Sequence, residues 1–550
     1  MFAALGLGSG SEVRFESCQS LEYGGVLFLM PFILANGLLS YQKYYSERDG
    51  GYYNFDQALL SLALMYLCRI KTPEQLKHVH PGEFGKLMGL DRVPEVRCLR
   101  GMLKELFLQK KAEEWGANLA QEWINDEQPG IYYIDGHVQV YSGHLANLGK
   151  KHSSRQRLCI PGMMEFWVNN ARGMPYFFVT GEVNEKLQQA IEEQIVPQLN
   201  VLTKKTTPQA QPAYDNEPVY TLVFDREAYS PAFFAKLWTN QHVAVITYNK
   251  NVRDQWDEAE FDDFETITDV GMIKMKLKEK HFEVDRVKMR EIRKLNPSGH
   301  QTSVVTTNPK LSTIHIAIYM FARWTQENFF RYMRQEYAFD KILEYGVDMI
   351  DGAIKVVNRE YSNLTYLIKT IRVKIARRKA ILFEFIEENI NTALEETPKS
   401  IQKQLKVSEE INSLKKEENQ AISKRKNTPY YISIDQMPEN TRYNKLKTES
   451  KHLQNIVKMI CYRADTAFAN MLAPYYNKSN EEIRALVKSI IFCKADLDVD
   501  YTKNNITVTL YSLATPRDNK AVKNICTLLN ETETEFPGTN LMLSYKSATI

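Results

Sequence analysis

Apolar, β-branched segments alternate with helical periodicity between residues 131 and 248, and this pattern constrains the fold more than any other feature of the sequence. Runs of Val, Ile, Tyr and Phe predict strands, whereas apolar residues spaced by three and four predict helices. The predicted strands cover 131–141, 159–168, 174–183, 219–225 and 243–248, and the predicted helices cover 184–199 and 231–240. Three strands followed by helix, strand, helix and strand predict an α/β fold with a mixed sheet.

Two of these predicted strands carry a single aspartate. Asp135 lies in the middle of the first strand, and Asp225 ends the fourth, just before Arg226 and a Ser-Pro helix start. A lone carboxylate at the end of a strand is more often a turn or cap residue. Hard oxygen ligands from separate elements, however, suit Mg²⁺ bound for phosphoryl chemistry.

A helix predicted over 319–334 follows these strands. At about 100° per residue, Arg323, Glu327 and Arg334 share one face, and aromatic residues gather on the opposite face. The simplest interpretation is a solvated pair between Arg323 and Glu327 at i,i+4. Two preceding strands with isolated aspartates favour the alternative, in which Glu327 is a third metal ligand.

Together these residues resemble the DDE transposases of bacterial insertion sequences, specifically the insertion-sequence-four group with its ribonuclease H-like catalytic domain. Arg323 and Glu327 match the Arg-to-Glu spacing of that group's Tyr-Arg-Glu-Lys signature, and Arg334 stands at the Lys position. Met320 occupies the Tyr position, and Tyr319 lies one residue earlier. The resemblance covers about residues 126 to 345.

The resemblance implies Mg²⁺-dependent cleavage at transposon ends, followed by strand transfer by the 3′-hydroxyl. Asp135, Asp225 and Glu327 would be the catalytic residues and would hold two Mg²⁺ or Mn²⁺ ions. Arg323, Arg334 and Tyr319 would contact DNA. The expected partners are double-stranded transposon ends and target DNA, bound by a homodimer. An endonuclease without strand transfer, a non-catalytic DNA-binding relative and a helical scaffold are the alternatives.

Further basic residues lie near the predicted site. Arg226 follows Asp225, and the segment 149–164 contains Lys150, Lys151, Arg155 and Arg157 without an acidic residue. Residues 369–379 hold six basic residues and no acid. Charge runs are usually solvated faces, but a short basic loop beside a metal site is the better candidate for a phosphate contact.

The flanking regions suggest additional domains. We expect a helical N-terminal domain over 1–125, the first part of the core over 126–248, a β-rich insertion over 249–310 and the last core helix over 311–345. A helical hairpin extension over 346–475, formed by residues 407–421 and a return helix at 440–472, precedes a small α+β tail over 476–550. The insertion should lie outside the core sheet with the lysines of 274–280 exposed, as a DNA contact or merely as a charged hairpin.

Composition indicates the cellular compartment but does not identify the reaction. A net charge of +3 over 550 residues permits a nucleic-acid partner without arguing for one. The seven cysteines form no Cys-x-x-Cys pair, which indicates a reducing compartment and argues against structural zinc. The most apolar run, 24–39, is too short for a membrane span. We therefore expect a cytoplasmic, DNA-associated bacterial protein without a membrane partner.

Overall fold

The computed structural model describes residues 10–48, 50–141, 143, 148, 150–153, 158–206, 217–250, 252, 254–268, 271–321, 324–340, 347–349, 355–392, 398–437 and 444–548. The chain divides into two compact units. The first unit comprises residues 1–143, 149–345 and 447–550, and the second comprises residues 144–148 and 346–446. None of the described helices is long and apolar enough to cross a membrane.

The N-terminal region is largely helical, as predicted. Its elements are β1 (Cys18–Leu21), α1 (Met30–Ala35), α2 (Phe55–Leu67), α3 (Pro81–Lys86), α4 (Val96–Gln109) and α5 (Ala112–Glu127). Asn54 starts α2 through a capping box with Gln57. Helices α4 and α5 are separate, because Lys110 adopts a left-handed conformation (φ 54°) that ends α4.

The central region contains the predicted sequence of strands and helices. Its elements are β2 (Ile131–Val140), β3 (Lys150–Ser153), β4 (Leu158–Asn169), β5 (Pro175–Glu182), α6 (Leu187–Ala190), α7 (Val196–Thr206), β6 (Tyr220–Phe224), α8 (Pro231–Gln241) and β7 (Val243–Tyr248). In space the strands run β5-β4-β2-β6-β7. Strand β4 is antiparallel to β5 and β2, whereas β6 is parallel to β2 and β7 to β6. The short strand β3 was not predicted and pairs with the start of β4.

The segment after β7 is rich in strands, as expected, but it is not outside the core sheet. It forms β8 (Asp262–Thr268), β9 (Gly271–Val284), β10 (Val287–Leu295) and β11 (Gln301–Thr306). Strand β11 pairs antiparallel with β7, with Val304 opposite Tyr248. The expectation that the insertion lies outside the core sheet is therefore wrong. Without β11 the edge of β7 would be unpaired, and β11 covers this edge with the buried Val304 and Val305.

The acidic and basic runs of this segment partly neutralise each other. Lys274 on β9 lies opposite Glu265 on β8, and their side chains form an ion pair of 2.8 Å. Buried Arg293 binds both carboxylate oxygens of Asp254 at 3.0 and 3.1 Å. Lys274, Lys276 and Lys280 are exposed, whereas Lys278 is only partly exposed. The interpretation as a charged hairpin thus accounts for part of the charge pattern.

Two helices follow the insertion, α9 (Thr313–Phe321) and α10 (Trp324–Tyr337). The residues expected to form one helix over 319–334 are divided between them, and residues 322 and 323 lie outside the described residues. Helix α10 ends where Ala338 takes a left-handed conformation (φ 44°).

The second unit is built around two long helices. Its described elements are β12 (Val347–Met349), β13 (Lys355–Val357), α11 (Arg359–Thr392), α12 (Pro398–Asn427), β14 (Tyr431–Ser433) and β15 (Asn444–Leu446). Strand β12 pairs with β15, and β13 pairs with β14. Ion pairs of 2.7 Å between Arg372 and Glu418 and of 2.9 Å between Arg378 and Glu410 join α11 to α12.

The C-terminal region belongs to the first unit. It contains α13 (Glu449–Tyr476), α14 (Asn480–Phe492), β16 (Ala495–Asp500), β17 (Asn505–Leu510), α15 (Pro516–Asn530) and β18 (Met542–Ser547). Helix α13 is the segment expected to return the hairpin, but residues 450–465 of it are buried in the first unit. The expected pairing of the hairpin is therefore wrong, since α12 packs with α11 instead.

The two ends of the chain share one sheet, ordered β1-β16-β17-β18. Cys18 of β1 lies opposite Leu497 of β16, and Leu21 lies opposite Ala495. The tail contains both helices and strands, as expected of an α+β unit. The tail is not a separate domain, however, because the N-terminal region supplies its edge strand.

Candidate active site

Asp135 and Asp225 lie side by side. The parallel pairing of β2 with β6 places Ile134 opposite Phe224, and each aspartate is the next residue of its chain. Neighbouring strands are about 4.7–4.9 Å apart, and residues in matching register point to the same face. The two carboxylates therefore share one face of the sheet at the end of β6.

Each aspartate also makes a local hydrogen bond. Asp135 Oδ1 accepts the Gly136 N–H at 2.9 Å, and Asp225 Oδ1 accepts the Arg226 N–H at 2.7 Å. Asp225 caps a short 3-10 turn, Arg226–Ala228. The turn-residue interpretation of Asp225 thus holds, and it leaves the position of Asp225 beside Asp135 unchanged.

Helices α9 and α10 cover the face of the sheet that carries both aspartates. On β2, the Tyr133 hydroxyl donates to the Tyr319 carbonyl at 2.7 Å, and the His137 ring stacks on Phe330 with centroids 5.7 Å apart. Side chains alternate along a strand, so Asp135 points to the same side as Tyr133 and His137. It lies between the contact with α9 and the contact with α10.

The same holds for β6. Val223 is buried in a cluster with Ile316 and Met320 of α9. Asp225 is two residues further along the chain and lies beyond the last residue of β6. With extended backbone maintained to Asp225, which has φ −75° and ψ 165°, its side chain faces the α9 side as well.

Glu327 is exposed on the first turn of α10, next to the buried Gln326. The Gln326 amide donates to the Tyr133 carbonyl at 3.3 Å and to the Trp167 carbonyl at 3.4 Å. Trp167 is the residue of β4 opposite Asp135. Gln326 therefore holds the start of α10 on the strands beside Asp135.

The three carboxylates do not form a closed metal site. Among the side chains that the structure describes, no group of three or more His, Cys, Asp or Glu residues could hold a metal ion. The structure brings Asp135 and Asp225 together and places Glu327 on the helix that covers them, outside their immediate group. A three-carboxylate site remains a prediction.

The predicted DNA-binding residues around Asp225 lie on the surface. Arg226 is exposed, and its guanidinium lies 5.6 Å from the centre of the Tyr248 ring. Lys151 on β3 pairs with Glu227 at 3.4 Å, and Lys150 beside it is exposed. The basic strand β3 is thus located next to the turn that Asp225 begins.

Of the other residues predicted to contact DNA, the structure describes Arg334 and Tyr319. Arg334 is half-buried, and its Nε donates to the Phe330 carbonyl within α10 at 3.2 Å. Tyr319 is half-buried near the end of α9. Arg323, Arg155 and Arg157 lie outside the described residues.

A network of buried charged residues, which the sequence did not reveal, binds α10 through two of its tyrosines. Asp465 of α13 is fully buried and accepts hydrogen bonds from Tyr332 and Tyr337 of α10 at 2.7 and 2.9 Å. It also accepts from Arg69 at 2.8 Å and Arg484 at 3.2 Å. Burial alone would raise the pKa of Asp465, but the two guanidiniums outweigh this effect and hold that pKa below its usual value.

Two buried lysines of α13 hold the end of α10. Lys458 donates to the Ala338 carbonyl at 3.3 Å, and Lys451 donates to the Phe339 carbonyl. Burial lowers the pKa of both lysines. Cations are favourable at the C-terminal end of a helix, where the last carbonyls lack partners.

Comparison with known proteins identifies the class. Residues 2–549 match the model of a family described as "Transposase protein", so the chain belongs to this family of transposases. The insertion-sequence-four group and a bacterial source, both implied by the resemblance, are not shown by this match and remain predictions.

A solved structure also shows a distant likeness. It is described as a cryo-EM structure of the piggyBac transposase synaptic complex with hairpin DNA. The two chains are 9% identical with a TM-score of 0.29, over 57% of this chain and 68% of the other. A likeness this weak carries no further argument. No curated protein matches the sequence.

Proposed function

We propose that this transposase is a metal-dependent DNA-cleaving and strand-transferring enzyme with a ribonuclease H-like core. It cuts DNA at the ends of its element and joins the resulting 3′-hydroxyl to target DNA. The observation that carries the proposal is the register of β2 and β6, which sets Asp135 and Asp225 side by side on one face of the sheet. Membership of a transposase family supports the choice of DNA as substrate.

The topology supports the proposed core. Three antiparallel strands precede two strands parallel to the first, in the spatial order β5-β4-β2-β6-β7. The first carboxylate lies on the first strand of this set and the second at the end of the fourth. This is the arrangement that the resemblance to DDE transposases implies.

Asp135, Asp225 and Glu327 would hold the Mg²⁺ or Mn²⁺ ions, because hard carboxylate oxygens are the ligands these ions prefer. When bound, two such ions activate the attacking water or 3′-hydroxyl and stabilise the leaving oxygen. The fit is partial, since only the two aspartates are together. The proposal requires the exposed side chain of Glu327 to turn toward them from the first turn of α10.

The basic residues of this surface would position the DNA backbone. Arg226 adjoins Asp225, and Lys150 and Lys151 lie on the strand that contacts the Asp225 turn. Phosphate contacts of this kind set the position and orientation of the duplex without reading its sequence. Arg334, Arg323, Tyr319, Arg155 and Arg157 complete the proposed set. A homodimer on DNA and a cytoplasmic location remain predictions.

Cleavage of DNA carrying the ends of the element, with purified protein and Mg²⁺, tests the proposal. Asp225→Asn and Glu327→Gln keep side-chain size but remove a metal-binding charge, so strand cleavage should fall by orders of magnitude while DNA affinity changes little. Arg334→Ala should instead weaken binding and reduce the salt dependence by roughly one phosphate contact.

Three results separate the alternatives. Normal cleavage by Glu327→Gln would refute its role as a ligand and leave it an exposed helix residue. Cleavage without a joined 3′-hydroxyl product would indicate an endonuclease. Binding without any cleavage by the wild-type protein would indicate a non-catalytic relative.

A further inference from the structure

Helix α11 of the second unit has two very different sides. Leu364, Ile368, Ile371 and Ile375 are buried and recur at intervals of three or four residues. This stripe is the side that packs within the unit. The ion pairs of Arg372 with Glu418 and of Arg378 with Glu410 flank the stripe and tie it to α12.

The opposite side, which we name the α11 outer face, is centred on Tyr366, Lys369, Val373 and Arg377, and Lys374 lies at its edge, about 100° round the helix from Val373. All five residues are exposed, Tyr366 by 73% and Val373 by 45%. At about 100° per residue, Lys369 and Arg377 lie about 40° to either side of Val373. The face therefore combines apolar surface with a cluster of cations.

These cations have no acidic neighbours along α11. The sequence contains no acidic residue between Glu360 and Glu384, a stretch of about six helical turns. In the described part of the chain, no carboxylate forms an ion pair with Lys369, Lys374 or Arg377. The two arginines on the α12 side are paired, whereas Lys369 and Arg377 of the outer face form no ion pair within the described residues.

We infer that the α11 outer face binds the phosphate backbone of DNA through residues other than those of the proposed active site. The inference rests on the proposed function only in taking DNA as the partner. Lys369 and Arg377 are eight residues apart, which is about 12 Å along a helix. Duplex DNA presents several phosphates over that length. Val373, between the charged contacts, and Tyr366, one turn before Lys369, add apolar contact with sugars.

A second copy of this chain is the competing occupant, because exposed apolar residues also mark protein interfaces. A two-fold interface centred on Val373 would place Lys369 of one copy opposite Arg377 of the other. Juxtaposed like charges disfavour that pairing, whereas a polyanion is favoured by the same charges.

The test uses the full chain and a fluorescently labelled duplex, with anisotropy measured over a range of KCl concentrations. The variant carries Lys369→Gln, Lys374→Gln and Arg377→Gln. The control carries Arg517→Gln, Lys520→Gln and Lys523→Gln, which remove the same charges from exposed positions of α15. Circular dichroism confirms that both variants fold.

The logarithm of the binding constant falls linearly with the logarithm of the salt concentration. Removing three phosphate contacts should make this fall shallower by about 2–3 in the magnitude of its slope. The reduction should be the same for an element end and for an unrelated sequence, and the control should retain the wild-type slope. Equal slopes for variant and control would overturn the inference. The inference would also be overturned if a second variant, Tyr366→Ser with Val373→Ser, dissociated a dimer, as measured by light scattering, while its DNA affinity stayed unchanged.

The result is independent of the active-site assignment. If the outer-face variant loses affinity while Asp225→Asn still cleaves, the surface stands and the proposed catalytic site fails. If Asp225→Asn abolishes cleavage while the outer-face variant binds normally, only the surface fails. A wild-type protein that does not bind DNA would overturn both.

Discussion

Replacing Asp465 by Asn should destabilise the first unit by several kcal/mol. Asp465 is fully buried and accepts hydrogen bonds from two tyrosines and two arginines. Removing one partner of a buried ion pair costs about 3–5 kcal/mol, because the other charge remains buried. Arg69 keeps a second partner, Glu336, at 3.0 Å, so Arg484 is the charge left without a carboxylate in this network.

The measurement is urea unfolding followed by tryptophan fluorescence. All six tryptophans of the chain belong to the first unit, so the signal reports on that unit alone. Tyr332→Phe is the matched control, since it removes one hydrogen bond to Asp465 but leaves every charge in place. It should cost about 1.5–3 kcal/mol, less than Asp465→Asn.

The pH dependence has a definite sign. The pKa of Asp465 is lower in the folded protein than in the unfolded chain, so its stabilising contribution is present above about pH 3.9. That contribution is lost as pH falls through the folded pKa. The difference between wild type and Asp465→Asn should therefore shrink in acid. A variant within about 1 kcal/mol of wild type at pH 7 would refute the reasoning, because Arg484 would then not depend on Asp465.

Two further predictions concern the ends of α10. Burial and the neighbouring Lys451 lower the pKa of Lys458, so the unfolded chain binds more protons and stability should rise with pH toward about 10.4. Lys458→Met should flatten this rise in urea midpoints, and an unchanged slope would contradict it. At the other end, Gln326→Leu should slow single-turnover cleavage without weakening DNA binding, because Gln326 holds the turn that carries Glu327. Cleavage at the wild-type rate would show that this anchor does not position Glu327.

The strand order of the core was predictable because its signals are local. Runs such as Tyr220–Phe224 contain only β-branched, aromatic and apolar residues, and each is bounded by turn residues. The adjacency of Asp135 and Asp225 did not follow from these local signals, because β2 and β6 are distant in sequence; the resemblance to ribonuclease H-like transposases implied it.

Pairings between distant segments were not predictable in this way. The contact of β1 with β16 joins residues 18 and 497, and neither short strand carries a signal for its partner. The same applies to β11, whose Val304 and Val305 suit any sheet edge. The partner of α12 was assigned wrongly, because α13 is buried in the first unit together with its charged residues Lys451, Lys458 and Asp465. Burial of those charges is possible only because their partners come from other segments.

These distant contacts converge on the helix that carries Glu327. Gln326 holds the start of α10 on β2 and β4. In the second half of α10, Tyr332 and Tyr337 donate hydrogen bonds to Asp465 of α13. Arg69 of the N-terminal region donates to the Tyr332 hydroxyl. A ligand that must turn toward two aspartates needs a helix whose position is fixed on both sides. The N-terminal and C-terminal regions therefore act as the support of the proposed site, and a fragment limited to the central sheet would leave α10 with only its contacts to the strands.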